Sequence, residues 1–319
     1  MIQHALVVGG LGFIGANLTD RLSGGGTRVT VLTPSRSRHA ETAGDFEARG
    51  VQIMEGDIRD AETVRRVLPD QDVVFHVGGR SGAALSVRDP WTDLDVNVRG
   101  SLVLLESMRE VNRDAKIVFV GSRLQYGRTG STSVSEEHPL NPSCPHAAHK
   151  IAVEEYLRLY QRLFAMRHTV ARVTNPYGPG QSRSRTEYGV VNRMIHLALT
   201  DDAVTVYGDG SQRRDYVYID DVSAALVTLA DARQSDGRVY NVGSGTGTRL
   251  VDMARRITEA AGGGRLELVP WPALDGQIET GDFVADISRI GRELGWRPVV
   301  PLDEGLQKTI AFYRAHVAS

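Results

Sequence analysis

His146 and Lys150 stand four residues apart in the run Pro145-His146-Ala147-Ala148-His149-Lys150. On a helix that spacing puts both side chains on one face, an imidazole beside an ammonium. Histidine titrates near ~6.5, so its neutral ring is a competent proton acceptor at pH 7. The surroundings reinforce that form: Pro145 starts the helix, and both the helix N-terminus and Lys150 oppose imidazolium. Upstream, Ser122 and Tyr126 follow the apolar run 116–120 and add a hydroxyl and a phenol. Tyr126 is a second candidate for the acid/base, although packing beneath the serine loop is its simpler use. His149 reads as a helix-surface residue.

A different chemistry is written at the start of the chain, where Gly9-Gly10-Leu11-Gly12-Phe13-Ile14-Gly15 follows the apolar run 5–8. Gly9, Gly12 and Gly15 give a tight turn, a bare backbone for a pyrophosphate and close helix–strand packing, the pattern of a dinucleotide site at a helix N-terminus. Phe13 and Ile14 open that helix. Selectivity for NAD would place an acid about twenty residues further on. Here the second strand ends at Thr33, with Arg36 and Arg38 following and no acid. Arg36 suits a 2′-phosphate, which keeps NADP beside NAD; two solvated loop arginines are the plain alternative. Asp57, with Ile58, follows the third strand as either a carboxylate near the adenine or a strand-end turn. Val77, after the fourth strand, completes the cofactor-facing set.

These residues need a scaffold, and the patterning supplies one. Apolar runs 5–8, 28–32, 51–54, 72–77, 116–120 and 168–173 read as parallel strands buried on both faces, separated by amphipathic helices. Ile14, Leu18 and Leu22 form one such helical stripe, stopped by Gly24-Gly25-Gly26. The expected fold is α/β: a doubly wound parallel sheet of Rossmann type with a smaller C-terminal lobe. Residues 1–175, with 215–243 returning, form the dinucleotide-binding domain; 176–214 and 244–319 form the substrate lobe. Long helices are expected over 92–112 and 146–166.

The chain has 319 residues, 41% of them hydrophobic, and a formal charge of −2. That balance offers no basic field for nucleic acid or an anionic membrane. No stretch approaches the ~20 apolar residues of a membrane span. The single cysteine, Cys144, and the short apolar N-terminal run fit a cytoplasmic protein without a secretory leader. No metal-ligand spacing occurs.

Taken in order, the motifs resemble the extended short-chain dehydrogenase/reductase family, in its NAD-dependent epimerase/dehydratase branch. The carriers are Gly9-x-x-Gly12-x-x-Gly15, Gly56-Asp57, His76, Asn97-Val98-Arg99-Gly100 and Ser122 four residues before Tyr126-Gly127. They continue through His146-x-x-x-Lys150, Arg172 to Pro179, Gly208 to Asp215 and Asn241 to Gly245. The resemblance implies hydride transfer between a sugar carbon and a nicotinamide, on a nucleotide diphosphate sugar bound by a homodimer. By position it assigns Ser122 and Lys150 to the reacting centre, Lys150 also holding the nicotinamide ribose. His146 occupies the place of the family's tyrosine.

For the substrate, the resemblance implies Arg214 on the diphosphate, with Asn175 and Gln212 as polar contacts. Arg80 and Ser86 belong to one of the loops, 80–90 and 181–196, that shape the sugar pocket. Two departures matter. Arg123-Leu124 replaces the acid that would eliminate water, which ranks 4-epimerisation above reduction or oxidation, and dehydration last. Glu279 stands where an arginine is usual, so a diphosphate would face an anion unless Arg183 or Arg185 compensates. A non-catalytic sugar-nucleotide binder is the reading from another class.

Overall fold

The computed structural model describes residues 2–130, 133–181 and 189–317. Its strands are β1 (His4–Val8), β2 (Arg28–Thr33), β3 (Gln52–Glu55), β4 (Val73–His76), β5 (Lys116–Ser122) and β6 (His168–Val173), then β7 (Asn175–Tyr177), β8 (Ala203–Tyr207), β9 (Arg213–Tyr218), β10 (Arg238–Val242), β11 (Gly247–Arg249) and β12 (Arg265–Val269). Seven of them form one sheet in the order β10-β6-β5-β4-β1-β2-β3. Every pairing in it is parallel, with Ala5 opposite both Val29 and Val73, and Val118 opposite Thr169. Most of the apolar runs fill strands buried on both faces, with Ala5 to Val8 at most 3% exposed, whereas the edge strand β3 has no buried residue.

From β1 the chain winds outward to β2 and β3, and from β4 it winds the other way. The strand order therefore reverses between β1 and β4, where the loops leaving neighbouring strand ends diverge and open a crevice. Helices cover both faces. Phe13–Gly24 buries Gly15, Leu18 and Leu22 and ends in the glycines at 24–26. Pro145–Phe164 packs against β5, β6 and the turn Arg123–Tyr126.

The first expected long helix is interrupted. Asp89 caps Pro90–Leu94 through the Thr92 N–H, a widened five-residue turn spans Asp95–Arg99, and Gly100–Val111 continues the helix. Such widened turns are uncommon and recur at functional sites. Here the turn carries Asn97 inward to Arg80, accepting from its N–H and donating to its carbonyl.

The chain returns to the main sheet through the helix Ile219–Asp231, packed on Phe13–Gly24, and β10 beside β6. Arg213–Tyr218 instead joins β7 and β11 in a second, three-stranded sheet. In the smaller lobe β8 pairs with β12, beneath the helices Val190–Leu199 and Leu250–Ala261. The buried Asp215 carboxylate ties the parts together, accepting from the N–H groups of Ser244, Gly245 and Ala285.

Candidate functional site

The glycine turn sits at the reversal point between β1 and β4. A Cβ on Gly9 would lie 2.4 Å from Gly78 Cα, and one on Gly15 only 2.1 Å from Gly9 O. Those two positions are closed by backbone. Gly12 differs: a Cβ there would meet only Gly9 O, at 3.3 Å. Gly12 is also the N-cap of Phe13–Gly24, with no side-chain cap and no acid in the first turn. The helix N-terminus keeps its free N–H groups beside a bare backbone, which fits a dinucleotide pyrophosphate. Ile14 packs on the core below it.

Around the ribose end, Arg36 already has carboxylate partners. Its guanidinium is paired with Glu47 at 2.6 Å, and its N–H donates to Glu55. Thr33 is buried opposite Glu55 in the β2–β3 register, so an acid does reach this end, from the neighbouring strand. Asp57 is held by Arg59 at 2.6 Å, which keeps its carboxyl below the usual range, and Arg59 bridges onward to Asp95. Ile58 packs in the core cluster under Gly100, and the Val77 N–H donates to Val8 O.

His146 and Lys150 are both buried on the first turns of Pro145–Phe164, 4% and 8% exposed. Lys150 Nζ donates to Val120 O at 3.0 Å and lies over the Phe119 ring. Burial pulls its pKa down to about 8, against the attraction of Asp93 and Glu154. Burial likewise lowers His146, with Lys150 adding to the effect and Asp93 opposing it, so the ring is neutral at pH 7. Ser122, at the end of β5, accepts from the Leu124 N–H, which leaves its own proton free to donate. No hydrogen bond joins Ser122 to His146. A cation and a hydroxyl donor thus stand at the carboxyl edge of β5, with a neutral base one turn away on the helix that carries the cation.

Asp93, which the sequence reading passed over, is fully buried against this helix. Its Oδ1 accepts from His149 Nδ1 at 2.7 Å, so His149 is not the free surface residue expected from its position. Its Oδ2 lies 3.6 Å from His146 Nδ1. Burial alone would raise the Asp93 carboxyl, but His146, His149 and Asn97 outweigh it and hold it at about 2. The available signal was the Asp93-x-x-x-Asn97 spacing, which puts two polar groups on one helical face.

Other expected residues are already engaged. Tyr126 is sealed in the core, its hydroxyl donating to Asn241 and accepting from Arg172, and burial pushes its pKa up to about 12. A phenol so placed has no route to a substrate proton, which removes it as a displaced acid/base. The Ser86 hydroxyl donates to Ala83 O and accepts from the His146 N–H, so it caps the helix rather than facing the cleft. Arg80 is paired with Asp89 at 2.7 Å.

In the smaller lobe Asn175 has both ends of its amide occupied, by Arg123 Nε and by Asp215 O. Arg123 also donates to Thr280, so the residue replacing an expected acid braces the pocket wall. Arg214 is paired with Glu279 and donates to Gly281 O. Gln212 Nε2 and the Tyr216 hydroxyl are buried without a protein partner, two open polar atoms in the segment that holds Arg214. Arg183 and Arg185, with most of the 181–196 loop's first half, lie outside the described residues. Among the described residues no cluster of His, Cys, Asp or Glu could hold a metal, and no helix is long and apolar enough to cross a membrane.

A doubly wound sheet with a phosphate cradle at its reversal point and a histidine–lysine pair at the neighbouring strand end defines a dinucleotide-dependent enzyme. Residues 5–243 match the NAD dependent epimerase/dehydratase family, and the chain belongs to it. The chain is 33% identical to a UDP-glucose 4-epimerase of Mycolicibacterium smegmatis, over 98% of this chain and 99% of that one. It is 31% identical to a dTDP-glucose 4,6-dehydratase of Streptomyces griseus, over 99% and 95%. Among solved structures it resembles UDP-glucose 4-epimerase from Thermotoga maritima with UDP-glucose, at TM-score 0.90 and 31% identity, covering 98% and 99% of the chains.

Proposed function

We propose that this chain is an NAD-dependent epimerase of a nucleotide-activated hexose, acting at C4 with His146 as the acid/base. The observation that carries the reading is the buried, neutral His146 one helical turn from the Lys150 ammonium. A nicotinamide dinucleotide held at the glycine turn Gly9–Gly15 and by Lys150 would supply hydride acceptance from the sugar carbon and its return. The chain's own residues handle the proton. His146 accepts it from the sugar hydroxyl and gives it back, Ser122 donates a hydrogen bond to the same oxygen, and Lys150 supplies positive charge beside it.

The reading accounts for Arg123-Leu124. Neither side chain can carry a proton for eliminating water, and Arg123 is tied to Asn175 and Thr280. Epimerisation needs no such group, whereas 4,6-dehydration does. NAD is favoured over NADP because Arg36 is paired with Glu47 and Glu55 adds a second carboxylate nearby. A 2′-phosphate there would meet two anions. A homodimer joined through the helices ending at Val111 and Phe164 belongs to the same proposal, supported by the apolar side chains they expose.

The test is to incubate the purified protein and NAD with UDP-, dTDP-, GDP- and CDP-hexoses and follow both the product and a deuterium placed at C4, which hydride return keeps on the sugar. Interconversion of C4 epimers is expected, with kcat lowered on the order of 100-fold or more in His146→Ala. Tight sugar-nucleotide binding without any product would overturn the enzymatic reading. Full activity of His146→Ala would remove the imidazole from the mechanism.

A further inference from the structure

Asp93 Oδ2 and His146 Nδ1 are both sealed from solvent, both without a hydrogen-bond partner, and 3.6 Å apart. Two orphaned buried polar atoms of complementary type, facing each other, are costly to leave unjoined. Oδ1 of the same carboxylate is already committed to His149 at 2.7 Å. Asp93 is fully buried and ionised, hence an acceptor only, so whatever it bonds must bring the proton.

We propose that Asp93 is the positioning residue for His146: it fixes the proton on Nδ1, leaving the Nε2 lone pair for the substrate. This rests on the reading of His146 as acid/base. The two ring nitrogens lie on opposite edges of imidazole, so an Nδ1 turned to Asp93 turns Nε2 away from it. When the sugar O–H bond breaks, the N–H bond forms at Nε2, and the imidazolium charge is offset by the carboxylate without a proton passing to Asp93. On the return step Nε2 gives the same proton back to the oxygen. A carboxylate that orients and charge-balances a histidine in this way acts through it, not on the substrate.

The groups acting on the ring are few. Asp93 comes from Pro90–Leu94, and His149 and Lys150 come from its own helix. The neighbouring Ala83–Arg88 contributes only the Ser86 hydroxyl, to the His146 N–H. Lys150 cannot replace Asp93, because an ammonium only donates and would leave the Nδ1–H form without a partner. The placement also explains why the acid is the one buried residue of Pro90–Leu94.

The experiment is 15N NMR of the imidazoles in the full-length, NAD-loaded protein, with His146 assigned by its loss in His146→Gln. The expected spectrum shows His146 protonated at Nδ1 and bare at Nε2. In Asp93→Asn the side-chain amide can donate to Nδ1, so the proton moves to Nε2. The same variant is expected to lose on the order of 10- to 100-fold in kcat while KM changes less than about threefold. A wild-type ring protonated at Nε2, or an Asp93→Asn spectrum and kcat equal to wild type, overturns the proposal. Should Asp93→Asn fail to fold, the wild-type tautomer decides alone. Should no sugar be turned over, the acid/base reading fails, whereas the spectrum still reports whether Asp93 sets the tautomer.

Discussion

Arg214 is the guanidinium best placed by sequence to meet a diphosphate, and the protein supplies its own carboxylate to it, from Glu279. A substrate phosphate would have to compete with that internal anion. Glu279→Gln keeps the acceptor for the Gly281 N–H and removes the charge. Affinity for nucleotide sugar, read by calorimetry, is expected to rise about tenfold, ~1.4 kcal/mol; unchanged or weaker binding would show that Arg214 takes no part. Lys150 gives a second prediction. With its pKa at about 8, the ammonium is present below that pH and disappears as the pH rises through it. A reaction that depends on the charge should lose kcat above pH 8, and a profile flat to pH 10 would sever Lys150 from the chemistry.

Among the elements, the glycine turn separates two uses of the same residue type. Gly15→Ala drives a methyl into Gly9 O and is expected to destabilise the fold by about 1–3 kcal/mol, measured by denaturant unfolding. Gly12→Ala meets no such wall and should keep its stability while weakening NAD binding. At the end of β4, His76 is buried against Ser101 and its pKa falls to about 3. Below pH 6.5 the unfolded chain takes up a proton that the native ring refuses, so stability falls as the pH falls. Relative to wild type, His76→Phe should remove up to ~1.4 kcal/mol of that loss per pH unit between pH 6 and 4. An identical pH slope in the two proteins would contradict the assignment.

The strands of the large sheet and both glycine-defined helix ends were legible in the sequence because burial on two faces and helix termination are local signals. Asp93 was not, because its importance arises when Pro90–Leu94 packs on Pro145–Phe164, a contact between residues 53 positions apart. The Arg36 pairing was hidden for the same reason: Glu47 arrives only when Ala40–Ala48 packs beside β3. The stretch Arg213–Tyr218 has the pattern of a buried strand, and only tertiary pairing sends it to the second sheet.

For the whole molecule, the helices ending at Val111 and Phe164 run side by side, joined by the Tyr160 hydroxyl on Glu106 and Arg109 over Phe164. They leave Leu163 62% exposed and Val111 and Leu159 uncovered, and Trp91 and Leu94 on the preceding Pro90–Leu94 are exposed as well. Apolar surface of this kind on two adjacent helices suits a second copy of the chain. Sedimentation is expected to give a dimer, with Leu163→Glu shifting it to monomer; a wild-type monomer at micromolar concentration would remove the interface. The Ser86 cap ties distant parts of the chain together. The segment between Gly79 and Gly82, both at positive φ, leads into the short helix whose Ser86 hydroxyl holds the His146 N–H. Displacing that short helix would break this bond, so the footing of the imidazole depends on a stretch of chain sixty residues before it.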